Sequence, residues 1–213
     1  MNKATTGRSL GNKIGIVILA FGILVALIYA GITAYFSISA KTSEEICTDV
    51  NEYDRQRRGD DAIDNFSARG MDEIWPEEIT DRMDVQDYFM MSYSPWDANY
   101  LGYLVVDYAE SDYVEETTCL GAYASTDYVG NYGATGFADY EVLAMNADDE
   151  GFVYAITDGV SRIIYVEMIF PGYGMDIAYE EYVPEKYLPE GLDAATGNPT
   201  QQEKEEQYEK TKN

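Results

Sequence analysis

Histidine is absent from this chain of 213 residues, and that absence removes more chemistry than any other feature of the composition. Ser-His-Asp and Cys-His nucleophile systems need an imidazole base, and the usual zinc sites need imidazole ligands. Basic residues are scarce as well, with 14 Lys and Arg against 39 Asp and Glu. A chain so acidic repels nucleic acid and anionic lipid headgroups and attracts cations and basic partners, so no nucleic-acid role is expected. Cysteine occurs twice, as Cys47 and Cys119, which permits one disulfide but does not establish that the two Cα atoms approach. No spacing singles out a carboxylate pair for glycoside chemistry, so the chain is read as non-enzymatic and without an obligatory cofactor.

The one long apolar run is near the N-terminus. Ile14 to Phe36 reads "IGIVILAFGILVALIYAGITAYF", 23 residues without a charge. As a helix this run rises about 34 Å, enough for a hydrocarbon core of about 30 Å and longer than the apolar core of an ordinary signal peptide. Small residues at Ser37 to Ala40 leave cleavage as the alternative. Lys3, Arg8 and Lys13 precede the run with no acidic residue, the positive-inside pattern, which places residues 1–13 in the cytoplasm and the rest outside. All 39 acidic residues but only 11 of the 14 basic ones follow Phe36, a balance of −28.

Beyond the span, "KTSEEICTDVNEYDRQRR" sets Ile46, Val50 and Tyr53 at helical spacing, with acids early and arginines late. It reads as a stalk helix, and residues 37–72 as a membrane-proximal helical segment. Pro76, Glu77 and Glu78 suit the first turn of another short helix. Strand-forming runs follow at Tyr100–Tyr108, Tyr140–Met145, Phe152–Ile156 and Ile163–Phe170, separated by Gly, Asn and Asp. Gly121 to Gly136 reads as a long surface loop. The expected fold is therefore α+β: a transmembrane helix at 14–36 and a stalk, then a mainly antiparallel sheet domain with short helices over 73–192, and a polar tail at 193–213.

Two local features bear on binding. In "MNADDEGFVYAITDG" the residues Asn146, Asp148 and Glu150 alternate ahead of Gly151, as in a calcium loop, but Thr157 stands where an EF-hand needs its bidentate glutamate. A hairpin turn explains the same residues, and Asp148, Asp149 and Glu150 remain only a loose cation candidate. The chain also carries 20 tyrosines, most densely in "QDYFMMSYSPWDANYLGY", where Tyr88, Phe89, Trp96 and Tyr103 are the candidate pocket wall.

The order of a basic N-terminus, "SLGNKIGIVILAFGILVALIYAGITAYF", a membrane-proximal helix and an acidic α+β domain resembles the N-terminal part of bacterial transmembrane receptors with a Cache-like or PAS-like sensor module. "DVQDYFMM", Asp84 to Met91, is similar to the Asp…Asp/Arg-x-Tyr-Phe segment bordering the ligand pocket in Cache sensors. The resemblance implies that Asp84, Tyr88 and Phe89 lie near a small-molecule site. Those receptors return through a second span to an output domain, and no second span follows here, so signalling would need a membrane or envelope protein partner. Two functions are expected from this: a membrane-anchored extracytoplasmic ligand-binding module, or a structural accessory subunit of an envelope complex.

Overall fold

The computed structural model describes residues 5–42, 44–58, 71–93, 99–169, 179–194 and Lys210. It divides into two compact units, Met1–Ser43 and Glu44–Asn213. The first holds helix α1, Thr5–Thr42, within which Gly15–Ile38 is long and apolar enough to cross a membrane, and none of that stretch is buried. Its hydroxyls turn inward to the helix: Thr33 Oγ1 donates to Tyr29 O at 2.9 Å and Ser37 Oγ to Thr33 O at 2.9 Å. Such back-bonding satisfies polar groups that would be costly in hydrocarbon.

The second unit is built on one antiparallel sheet of six strands: β1 Glu44–Cys47, β2 Met83–Tyr93, β3 Asn99–Tyr108, β4 Glu141–Asp148, β5 Gly151–Thr157 and β6 Arg162–Ile169. Their spatial order is β1-β2-β3-β6-β5-β4. Two meanders, β1–β2–β3 and β4–β5–β6, meet where β3 pairs with β6. Helix α4, Glu110–Gly121, carries the chain from the sheet centre to the β4 edge. Short helices α2 Tyr53–Arg58, α3 Met71–Ile74 and α5 Tyr179–Tyr182 complete the α+β fold.

Successive side chains of a strand point to opposite faces, and here both faces are covered. One face packs Phe89, Tyr103, Tyr154, Val166 and Met168 beneath Tyr132 and the segment Tyr179–Leu188. The other packs Tyr88, Leu104, Val153, Ile163 and Tyr165 beneath Tyr53, Trp75 and Leu120. Burial on both sides is why β5 and β6 read as nearly continuous apolar runs.

Several expectations need correction. Within the stretch expected as a stalk helix, Lys41 and Thr42 end α1, Glu44–Cys47 form β1, paired Ile46 to Met91 and Cys47 to Met90, and α-helix returns only at Tyr53–Arg58. The helical spacing of Ile46, Val50 and Tyr53 had a different origin: Ile46 and Tyr53 belong to separate elements. Pro76 starts no helix; a single helical turn at Met71–Ile74 precedes it. Cys47 and Cys119 are both free rather than bridged: Cys47 lies at the β1 edge with Sγ 3.7 Å from Asp49 O, and Cys119 is exposed on α4. Residues 59–70 of the expected membrane-proximal helical segment and most of the polar tail lie outside the described residues.

Candidate functional site

The expected aromatic site divides between the two faces of the sheet. Phe89 and Tyr103 are register partners on β2 and β3 and stack with ring centroids 5.8 Å apart at 16°. Tyr182 lies 5.8 Å from Phe89, and Tyr187 lies 6.1 Å from Tyr103. The Tyr103 hydroxyl donates to Asp87 Oδ2 at 3.0 Å, and burial followed by that bond raises its pKa well above the ordinary phenol value. Tyr88 precedes Phe89 and so points through the sheet to the other face. There it meets Tyr53 edge-on at 5.8 Å, and Tyr53 stacks on Trp75. Burial, reinforced by the neighbouring ionisable groups of Cys47, Tyr53 and Glu167, pushes the Tyr88 phenol far up.

Tyr88 therefore cannot share one pocket wall with Phe89 and Tyr103, which corrects the expected geometry. Asp84 lies exposed toward the start of β2, opposite Asp107, whose carboxylate holds Arg162 in a two-bond pair at 2.7 and 2.7 Å. Trp96 lies outside the described residues. A cavity of about 320 Å³ does open on the surface, but Ala138, Glu185, Lys186, Leu188 and Leu192 line it, and Asp84, Tyr88, Phe89 and Tyr103 do not.

Asp148 ends β4 and pairs with Gly151 of β5, and Asp149 and Glu150 form the turn between them. The Asp148 carboxylate accepts the Glu150 amide at 2.8 Å, and the buried Tyr132 hydroxyl donates to Asp149 O at 2.7 Å. The stretch is thus a side-chain-braced hairpin turn. Among the described residues, no group of three or more Cys, Asp or Glu is placed to hold a metal ion.

Two features were missed. Glu167 is completely buried in the middle of β6, opposite Gly102 of β3, whose missing side chain leaves room for Met90 and the Glu167 carboxylate above it. An acid inside "RIIYVEMIF", at a position that alternation turns inward, was the available signal. Nearby, Tyr108 and Tyr165 share a hydrogen bond at 2.9 Å, and Tyr165 donates to Glu116 at 2.8 Å, which carries a buried polar chain outward to α4.

The second missed feature is the treatment of the β4 edge. Ser125 and Thr126, in the loop after α4, lie along it: Met145 N donates to Ser125 Oγ at 3.1 Å and Ala147 N to Thr126 Oγ1 at 2.7 Å. Thr126 N donates in turn to Met145 O at 2.9 Å. Hydroxyls and one amide thus occupy the outward groups of Met145 and Ala147 that another strand would use.

Comparison with known proteins finds no matching family model, no matching curated protein and no matching solved structure.

Proposed function

We propose that this protein is a non-catalytic, single-pass membrane-anchored module whose acidic domain lies outside the membrane and docks on a basic membrane or envelope protein. The observation that carries this reading is the separation of Tyr88 from Phe89 and Tyr103. Tyr88, Phe89 and Tyr103, three of the residues that suggested a ligand wall, are core residues of two covered faces, so recognition falls to the exterior. That exterior belongs to a segment with a balance of −28, a charge that steers basic partners toward it. Lys3, Arg8 and Lys13 ahead of the apolar helix support a cytoplasmic N-terminus.

Chemical cross-linking in native membranes followed by purification in mild detergent tests the proposal. A stoichiometric partner whose association weakens with salt supports it, and recovery of the chain alone under gentle conditions contradicts it. Orientation has its own check, since Cys119 is free and exposed. A membrane-impermeant maleimide added to intact cells labels Cys119 if the domain is outside, and leaves it unlabelled until lysis if the domain is inside.

A second, sensor-like reading is supported by the cavity at Glu185–Leu192. Its Lys186 ammonium lies 4.9 Å above the Tyr187 ring, whereas Arg82 and Arg162 are engaged with carboxylates. A thermal-shift screen of small anions and of calcium distinguishes this reading, because a ligand of the folded state raises its midpoint.

A further inference from the structure

The sheet has three stretches of edge, and they are finished differently. An exposed edge presents unpaired amides and carbonyls and is a template for another strand unless something occupies or distorts it. The β4 edge is occupied by Ser125 and Thr126. The part of β2 that β1 does not reach is interrupted by a bulge between Val85 and Asp87, and its Tyr88 amide donates to the Asp87 carboxylate at 2.9 Å. The β1 edge has neither device. Among the described residues, no hydrogen bond beyond the β2 ladder reaches the backbone of Glu44–Cys47. Its Ile46 is 46% exposed, an apolar side chain on an open edge flanked by Glu44 and Glu45.

We infer that β1 is a strand-addition site, and that its occupant is an extended basic segment of a partner protein. The inference rests on the docking role proposed above and specifies where docking occurs. Main-chain hydrogen bonds to β1 supply the affinity in such a pairing, and alternate side chains supply the selectivity. Cross-strand neighbours of opposite charge stabilise a pair and like charges oppose it. Glu44 and Glu45 therefore favour Lys or Arg on the incoming strand and disfavour a second copy of β1, which would set acid against acid. An apolar residue of the incoming strand at the Ile46 level covers the one exposed hydrophobic side chain of β1. Leaving a four-residue edge open while a loop covers Met145 and Ala147 of β4 and a bulge distorts β2 fits an edge held for a partner.

The test uses the full chain in nanodiscs of neutral lipid. The probe is a synthetic peptide of about ten residues alternating valine and lysine, a normal strand length. A second peptide of the same sequence is N-methylated at alternate residues, which keeps its charge and removes one row of donors. Binding is read by fluorescence anisotropy and located by amide hydrogen exchange. The unmethylated peptide is expected to bind at least about tenfold more tightly than its methylated copy, the worth of one or two hydrogen bonds. It should slow exchange within Glu44–Cys47 and leave β4 unchanged. Ile46→Lys and Glu45→Lys should each weaken it severalfold, and Glu141→Lys on β4, an equal change of charge, should not. Equal affinity for both peptides, or protection elsewhere, overturns strand addition while leaving charge-driven docking standing. Binding no better than that of a glutamate-for-lysine peptide overturns both. A dimer that Ile46→Lys dissociates, with no peptide binding, replaces the basic partner by a second copy and overturns the inference.

Discussion

The β4 and β1 edges belong to one sheet and are finished in opposite ways. The β4 edge is eight residues long and carries two hydroxyl oxygens and an amide from the chain that leaves α4. The β1 edge is four residues long, carries two glutamates and an exposed isoleucine and, among the described residues, is joined only to β2. The difference shows that closing an edge here is a matter of specific side chains and not of general acidity, since both edges are acidic and only one is closed. It also moves attention from the aromatic residues to the sheet margin. The tyrosines are numerous because two packed faces and several loops must be tied together: Tyr154 donates to Tyr187 O and Tyr132 to Asp149 O, each from a buried ring.

The largest loss of stability is expected at Tyr132. This residue is fully buried and adopts a left-handed backbone at φ 49°, a conformation unfavourable for a bulky side chain that its packing against Phe152 holds in place. It anchors the loop that closes β4. Tyr132→Ala should cost about 3–5 kcal/mol in chemical denaturation, comparable with other large aromatic truncations, and should speed amide exchange in β4. Thr126→Val keeps the shape and removes the acceptor for Ala147 N, so a loss of about 1–3 kcal/mol is expected, with self-association at high concentration as the edge opens.

A smaller effect comes from Asp158, which uses the same device at the β5–β6 turn. Its Oδ1 accepts the amides of Val160 at 2.8 Å, Ser161 at 3.1 Å and Arg162 at 3.1 Å. Partial burial raises its pKa, but these three amides and the Arg162 charge outweigh burial and leave it below the ordinary carboxylate value. A folded-state pKa that is depressed contributes stability above the unfolded value and loses it as pH falls. Asp158→Ala should therefore be less stable than wild type at neutral pH by under about 1 kcal/mol for so exposed a group. The gap should close as pH drops below about 4 in parallel denaturation curves. The smallest effect on stability belongs to the open edge: Ile46→Lys should change it by no more than about 0.5 kcal/mol, because the side chain is half exposed and belongs to neither packed cluster. A large loss there would mean that Ile46 is part of the core.

How much of this was legible follows from residue patterns. Strands β3 to β6 were readable because valine, isoleucine and tyrosine cluster between turn residues, and the loop Gly121–Gly136 was readable from its Gly, Ser and Thr content. The β4–β5 turn was readable too, since Asp148 and Gly151 end its two strands. β2 was not seen, because "MDVQDYFMMSY" mixes charges with apolar residues over a bulged edge strand. That single omission misplaced the candidate site: once Met83–Tyr93 is a strand, Tyr88 and Phe89 must point to opposite faces. Helix α4 was hidden by threonines at 117 and 118, poor helix formers, which bond back to Tyr113 O and Val114 O. The edge-closing role of Ser125 and Thr126 has no sequence signature, because it depends on which strand the loop passes.

The most direct measurement is residue-resolved amide hydrogen exchange on the full chain in nanodiscs with no partner added. The Met145 and Ala147 amides, held by Ser125 and Thr126, should exchange slowly, at rates close to those of central β5 and β6. The amides of Glu44–Cys47 that point away from β2 should exchange orders of magnitude faster. Equal protection at the two edges would contradict the account, since β1 would then already be closed and the docking edge would not exist.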